Sequence, residues 1–304
     1  MALLQLTPSK KPLQPGQQIA RIYERIQMQD EMAFKQAVIR QLDHVVAIEC
    51  LYWLVWDSEQ RFDCMTYSNS DSYTACSLTA EQIATLNKLP LAKRPTSLSQ
   101  DIFPAKEQVC YISSQCCKTG RIHTLIVSVL NETTEHGKRT MDLLALFLPH
   151  LLQASTLQQL NTARANYSQP GSAYAICDSS GIFIEASQAF ETILDQMKEN
   201  WLENICNSAP GFIETDNILC RTQQAHGFIC LEAMRLPDSF SVLTSKEKQV
   251  CFFLSKAFTN KAIAEQLGSS EKTIENQLTS IYKKSGVRSR AMLIHTIKDH
   301  YQII

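Results

Sequence analysis

With 304 residues, 44% of them hydrophobic and 19% charged, and with only nine glycines and ten prolines, the chain is long enough for two or three domains with buried cores, which excludes wholesale disorder, collagen and low-complexity architectures. Its net charge of −1 hides a partition: from Phe240 onward there are ten Lys/Arg and five acids, a charge of +5 that leaves −6 for the remainder. An acidic body joined to a small basic tail is expected where one module alone meets a polyanion.

Residues 1–17 hold Pro8, Pro12 and Pro15 among lysines and read as an irregular arm. The apolar residues of this arm precede its lysines, the reverse of a secretory leader, so a cytoplasmic location is expected. From Ile19 to Leu42 the apolar positions keep a helical spacing and predict a first helix. The period then changes. Val45 to Trp56 is a β-rich run, closed by Asp57-Ser58 and answered by Arg61 to Tyr67. Further strands are expected at Val109 to Ser113 and Ile122 to Leu130, with Thr119-Gly120 turning between them. Tyr52, Trp53 and Trp56 supply aromatics able to line a ligand pocket, although an ordinary sheet core needs the same residues.

Helical composition resumes at His136 and runs to Tyr167, with Pro149 expected to kink or restart the helix. This connecting helix offers a surface for packing or dimerisation. Its apolar stretch from Met141 to Leu152 contains Asp142, Pro149 and His150 and is shorter than the roughly 20 residues of a bilayer span, so no membrane association is expected. Gln169-Pro170-Gly171 breaks the chain. Beyond it, Ala173 to Cys177 and Ile182 to Glu185 flank Asp178-Ser179-Ser180-Gly181 as a hairpin, and a helix from about Ser187 to Met197 follows. The next boundary is Leu236-Pro237-Asp238, so this module is small and leaves little room for a haem or flavin; no cofactor is expected.

Eleven cysteines, odd in number and with no leader to bring them to an oxidant, read as reduced core residues. Cys116-Cys117 beside Lys118 is the exception, since adjacent thiols near a cation suit soft-metal or redox chemistry. Cys206, Cys220, His226 and Cys230 are four zinc-type ligands in one region. They lack a CxxC knuckle, so core cysteines beside a loop histidine are the better reading and no metal is expected.

The most specific pattern lies from Leu243 to about His295. Thr244 and Glu247 form a capping box before a helix whose Val250, Phe253, Leu254 and Ala257 face inward. Thr259 or Asn260 caps a second helix from Lys261 to Leu267, stopped by Gly268. Ser270 caps a third from Glu271 to Lys284, stopped by Gly286, and Ser289 begins a fourth carrying Met292, Leu293 and Ile297. The second and third helices have helix-turn-helix spacing.

Over Leu243 to Leu293 the residues resemble the LuxR-type helix-turn-helix domain. Leu243-Thr244, Glu247, Val250, Asn260-Lys261, Ile263-Ala264, Leu267, Ser270, Lys272-Thr273, Ile281, Lys284, Val287 and Arg290 fall in the family's order. Upstream, residues 18–135 resemble a GAF-like α+β sensory domain, 136–168 a connecting helix and 169–237 a short PAS-like domain, before the helix-turn-helix domain at 238–304. The implied fold class is multi-domain α+β, with GAF/PAS-like sensory sheets followed by an all-α four-helix helix-turn-helix domain. The resemblance also implies binding of double-stranded DNA as a homodimer. Phosphates would be contacted by Lys261, Lys272, Thr273, Lys283 and Arg288, and bases by Glu275, Asn276 and Thr279. A small-molecule or protein signal would act through the upstream modules.

The chain departs from the family at four places. Glu275 stands where a lysine is usual, Gln277 where a histidine is, Ala257 where a glycine is, and Ala262 where an acid is. Glu275 sets a carboxylate against a polyanion, although it suits a cytosine N4 donor as Asn276 suits an adenine edge. Two readings follow: a DNA-binding transcriptional regulator, or a protein-interaction regulator whose helix-turn-helix has lost DNA binding. An enzyme is not expected, since the chain holds no P-loop, GxSxG, HExxH or strand-linked GxGxxG.

Overall fold

The computed structural model describes residues 14–43, 45–46, 48–56, 62–68, 72–75, 79–86, 88–92, 94–98, 109–116, 119–129, 134–168, 171–195, 210–215 and 217–302. The chain divides into two compact units, residues 1–162 and 163–304, each built on its own antiparallel sheet. The class is multi-domain α+β, as expected. No helix among the described residues is long and apolar enough to cross a membrane.

The first unit opens with α1 (Pro15–Glu24), a 3-10 turn at Arg25–Gln27, and α2 (Glu31–Asp43). Two expectations are corrected here. The irregular arm gives way to helix by Pro15, which sits at a first-turn position where its missing N–H costs nothing. The single helix expected over 19–42 is interrupted, because Asp30 accepts the Ala33 amide at 2.7 Å and starts a new helix.

There follow β1 (Ile48–Trp56), β2 (Phe62–Ser68), β3 (Ser72–Ala75), α3 (Ala80–Leu86), β4 (Thr96–Ser97), β5 (Val109–Gln115), β6 (Ile122–Val129) and α4 (Thr134–Tyr167). The strand order is β3-β2-β1-β6-β5-β4. β1 is paired along both edges, with Trp53 opposite Met65 on one side and Leu125 on the other. A strand buried on both faces needs an almost unbroken apolar run, which is why this one stands out in the sequence. It begins at Ile48 and not at Val45, because the Val45 and Val46 amides both turn back to the Leu42 carbonyl at 2.9 Å. The Asp57-Ser58 turn and Leu130 lie outside the described residues.

Strand alternation sends Trp53, Ile112, Leu125 and Val127 to one face, where they bury against Phe34, Val38 and Phe147 of α2 and α4. Leu54, Trp56, Tyr111 and Ile126 occupy the other face with Leu86 of α3. Pro149 does not restart α4. The helix runs through it, and the backbone bond lost there is offset by burial of Leu148 and Leu151 on either side.

The second unit contains β7 (Ala173–Cys177), β8 (Phe183–Ala186), α5 (Gln188–Leu194), β9 (Gly211–Thr215), β10 (Ile218–Ala225) and β11 (Phe228–Arg235), in the order β8-β7-β11-β10-β9. The Asp178 carboxylate accepts the Ser180 and Ile182 amides at 2.9 Å, and Gly181 takes φ +87°, so the expected hairpin forms with its turn residues in place. Ser187 caps α5 by accepting the Phe190 amide at 3.2 Å. Met197, the expected end of that helix, lies outside the described residues.

β10 and β11 are joined by His226-Gly227, both at positive φ (53° and 84°), the requirement of a primed two-residue turn. Along these strands Ile218, Cys220, Leu231 and Ala233 pack with Phe190 and Ile193 of α5. The alternate residues Leu219 and Met234 face the C-terminal helices instead.

Candidate nucleic-acid interface

The C-terminal segment folds as α6 (Ser245–Ser255), α7 (Asn260–Leu267), α8 (Glu271–Ser285) and α9 (Arg290–Gln302). Each boundary has a local cause. Thr244 accepts the Glu247 amide while the Glu247 carboxylate accepts the Thr244 amide at 2.7 Å, closing the capping box. Thr259 caps α7, and Gly268 ends it in the left-handed conformation at φ +58°. Ser270 caps α8 through the Thr273 amide at 3.1 Å, and Gly286 ends it at φ +72°. Ala257, the residue standing for the usual glycine, is held at φ +61°, a conformation that strains any residue with a Cβ.

Ile263, Ile274, Leu278, Ile281, Leu293 and Ile297 close the core of these helices. Glu247 ties the first helix to the third: Lys284 Nζ donates to its two carboxylate oxygens at 2.9 and 2.8 Å. Burial works against that carboxylate's charge, but the hydrogen bonds from Lys284, Ser280 and Thr244 outweigh it and hold its pKa down at about 2. Arg290 donates to Asn260 Oδ1 at 2.6 Å and to the Phe258 carbonyl, fixing the loop that leads into α7.

The five-stranded sheet covers α6. Lys248 pairs with Glu214 of β9, and Lys256 with Glu232 of β11. The Arg221 guanidinium lies 4.9 Å from the Phe253 ring centre and donates to Gln266 at 2.7 Å. Phe212 stacks edge-on against Phe252 and Phe253 at 5.2 and 5.7 Å. Residues on both sides of Pro237 therefore bury one another, a contact that no sequence signal announces.

Of the ten C-terminal cations, Lys248, Lys256, Lys284 and Arg290 are thus held in internal bonds. All eight residues singled out for DNA contact are exposed: Lys261, Lys272, Thr273, Glu275, Asn276, Thr279, Lys283 and Arg288. Ile274, Leu278 and Ile281 are buried, so helical geometry puts Lys272, Glu275, Asn276, Thr279 and Lys283 on the opposite side of α8 as one outward stripe. Lys261 is the second residue of α7 and Arg288 follows α8. Lys261, Lys283 and Arg288 make no ion pair among the described residues.

Four side chains on or near that stripe are already engaged. Lys272 Nζ donates to Glu275 Oε2 at 3.0 Å. The Thr279 hydroxyl donates to the Glu275 carbonyl at 3.0 Å, and the Thr273 hydroxyl shares a 2.8 Å hydrogen bond with Ser270. Gln277 is half-buried, and its Oε1 atom is enclosed without a hydrogen-bond partner among the described residues, so this departure points inward while Glu275 points out.

The other candidates are dispersed. Trp53 is fully buried on the α2/α4 face of the first sheet, while Tyr52 and Trp56 belong to the opposite face, so the three do not line one pocket. Cys220 and Cys230 are buried in the second sheet, and His226 occupies the hairpin turn. Cys206 and Cys117 lie outside the described residues. No group of three or more metal-type ligands occurs among the described residues. Burial raises the thiols of Cys110, Cys230 and Cys251 to about 12, far from thiolate reactivity.

A capped helix pair joined by a left-handed glycine, inside a four-helix core with an exposed polar stripe on its third helix, defines a helix-turn-helix domain. Residues 241–297 match the model of the luxR family of bacterial regulatory proteins (GerE), so this domain belongs to that family. Similar proteins include the transcriptional regulatory protein YdfI of Bacillus subtilis (strain 168), 42% identical over 74 residues, which are 24% of this chain and 33% of YdfI. The oxygen regulatory protein NreC of Staphylococcus aureus (strain JH9) is 37% identical over 57 residues, 19% of this chain and 26% of NreC. The chain therefore spans a third or less of the length of these relatives. Among solved structures, Escherichia coli SdiA aligns over 95% of this chain and 98% of its own at 10% identity, with a TM-score of 0.30.

Proposed function

We propose that the protein is a transcriptional regulator that binds double-stranded DNA as a homodimer through α8, under control of a small-molecule or protein signal received by its α+β modules. The observation that carries this reading is the outward stripe of α8, left exposed while the sheet occupies α6. Lys261, Lys272, Lys283 and Arg288 engage phosphates and fix the register, the Thr273 hydroxyl adds a neutral donor, and Asn276, Thr279 and Glu275 meet base edges. Two half-sites are needed for adequate affinity, and α4 or α9 supplies the dimer contact. The protein acts in the cytoplasm.

The Lys272–Glu275 pair favours a second reading, in which a near-neutral α8 contacts another protein instead of DNA. Mobility-shift titration of the full chain against duplex DNA over a series of salt concentrations separates the two. Binding that weakens steeply and linearly in log salt supports the regulator reading. Absence of binding at low salt replaces it with the interaction reading.

A further inference from the structure

Within the second unit, the sheet and the C-terminal helices border a cleft of about 700 Å³. Its floor is the face of β10 and β11 that carries Arg221, Glu232 and Met234, opposite the face on which α5 packs. One wall is the end of α4 with Tyr167. The other is the end of α6, the turn at 256–258 and α9.

The lining holds three cations, Arg221, Lys256 and Lys298, against one carboxylate, Glu232, among the described residues. Glu232 is buried, and its Oε1 atom accepts from Lys256. Its Oε2 atom is 3.9 Å from Arg221 Nη1, beyond hydrogen-bond reach. A guanidinium has several N–H groups, yet among the described residues Arg221 donates a single hydrogen bond, to Gln266 at 2.7 Å. Burial lowers the Arg221 pKa from its ordinary value more than Glu232 raises it, the mark of a cation with too little counter-charge. Lys298 is exposed and makes no ion pair among the described residues, since the neighbouring Asp299 meets His295. With the Lys256–Glu232 pair set aside, Arg221 and Lys298 leave the cleft positive.

We propose that this cleft binds a small carboxylate with an apolar body, its carboxylate paired with Arg221 and its approach favoured by Lys298 at the rim. The body lies between Tyr167 on one wall and Ala257 and Phe258 on the other. A planar carboxylate matches the guanidinium fork, and the volume suits a ligand of ordinary metabolite size. The cleft touches the turn that leads into α7, which Arg290 holds through the Phe258 carbonyl, so a bound ligand lies between the sheet and the helix-turn-helix. Its role as the regulator's signal rests on the DNA-binding reading above; its occupancy of the cleft does not.

The test is calorimetric titration of the full chain, without DNA, with 2-naphthoate. The comparisons, 2-naphthylmethanol and 2-naphthylmethylammonium, keep the ring and change the charge. The expected result is one saturable site with a Kd of about 0.3 mM, with binding about tenfold weaker for the alcohol and absent for the ammonium. Lys298→Glu alters an exposed residue and should weaken naphthoate about fivefold. Lys246→Glu, the same charge change at an exposed lysine outside the cleft, should leave the Kd unchanged, because distant surface charges are screened. Arg221→Gln should remove binding, and if that variant does not fold the two lysine variants still decide. No binding of naphthoate, equal binding of the alcohol, or an equal response to Lys298→Glu and Lys246→Glu overturns the assignment. A chain that ignores naphthoate but shifts duplex DNA loses this site alone, whereas one that binds naphthoate but not DNA keeps the site and loses the regulator reading.

Discussion

Glu275→Lys and Glu275→Gln together ask whether α8 enters a groove. Lys272 and Glu275 form a 3.0 Å pair with both side chains well exposed, at 77% and 49%. An exposed i,i+3 pair of this kind contributes only about 0.2–0.5 kcal/mol, so Lys272 leaves it for a phosphate at little cost. The carboxylate stays behind. At roughly 7 Å from a phosphate in a water-like dielectric it repels by about 0.6 kcal/mol, or about 1 kcal/mol for two flanking phosphates before salt screening. Glu275→Gln removes that repulsion and should raise affinity about three- to fivefold. Glu275→Lys reverses its sign, a change of about 2 kcal/mol or roughly thirtyfold, and adds one counterion-releasing charge that steepens the salt slope by about 0.9. Both variants should melt within a degree or two of the parent, since so little stability rests on the pair. Fluorescence anisotropy on labelled duplexes over a salt series reads affinity and slope together. If both substitutions leave affinity and slope unchanged, α8 is not in the groove.

Asn276→Ala should act mainly at one base pair, costing about 1–3 kcal/mol on the preferred sequence, whereas Lys283→Ala should weaken all duplexes alike and lower the salt slope by about one; anisotropy on a panel of single-base variants distinguishes them. Ala257→Gly relieves a residue held at φ +61° and should stabilise the fold by about 1 kcal/mol, read as a rise in thermal midpoint; an unchanged midpoint would mean the strain is absorbed elsewhere. Glu247 has a carboxyl held at about 2, below its usual 4.5. Its contribution, on the order of 2–3 kcal/mol, is therefore complete above about pH 5 and lost as pH falls toward 2. Glu247→Gln should remove that acid dependence and lower stability at pH 7, as followed by urea denaturation at several pH values.

The C-terminal helices were legible because their determinants are local. Thr244 with Glu247, Thr259, Ser270, Gly268 and Gly286 each start or stop a helix within a turn of themselves, and the spacing of Ile274, Leu278 and Ile281 fixes which side of α8 faces out. β1 was legible because pairing on both edges demands an unbroken apolar run, and the Asp178 hairpin because its turn chemistry sits in four consecutive residues. β3, β4 and β9 to β11 were not, since short strands draw their stability from partners distant in sequence. Tertiary structure alone decided what the charges do. Lys248, Lys256, Lys284 and Arg290 count toward a basic tail in the sequence but are held by Glu214, Glu232, Glu247 and the Asn260 loop. Phe212, Arg221 and Glu232 carry no signal in the sequence, and only the alternation of β9 to β11 turns them onto α6. Charge and period are written residue by residue, but the partner that neutralises a charge is set by which strands and helices meet.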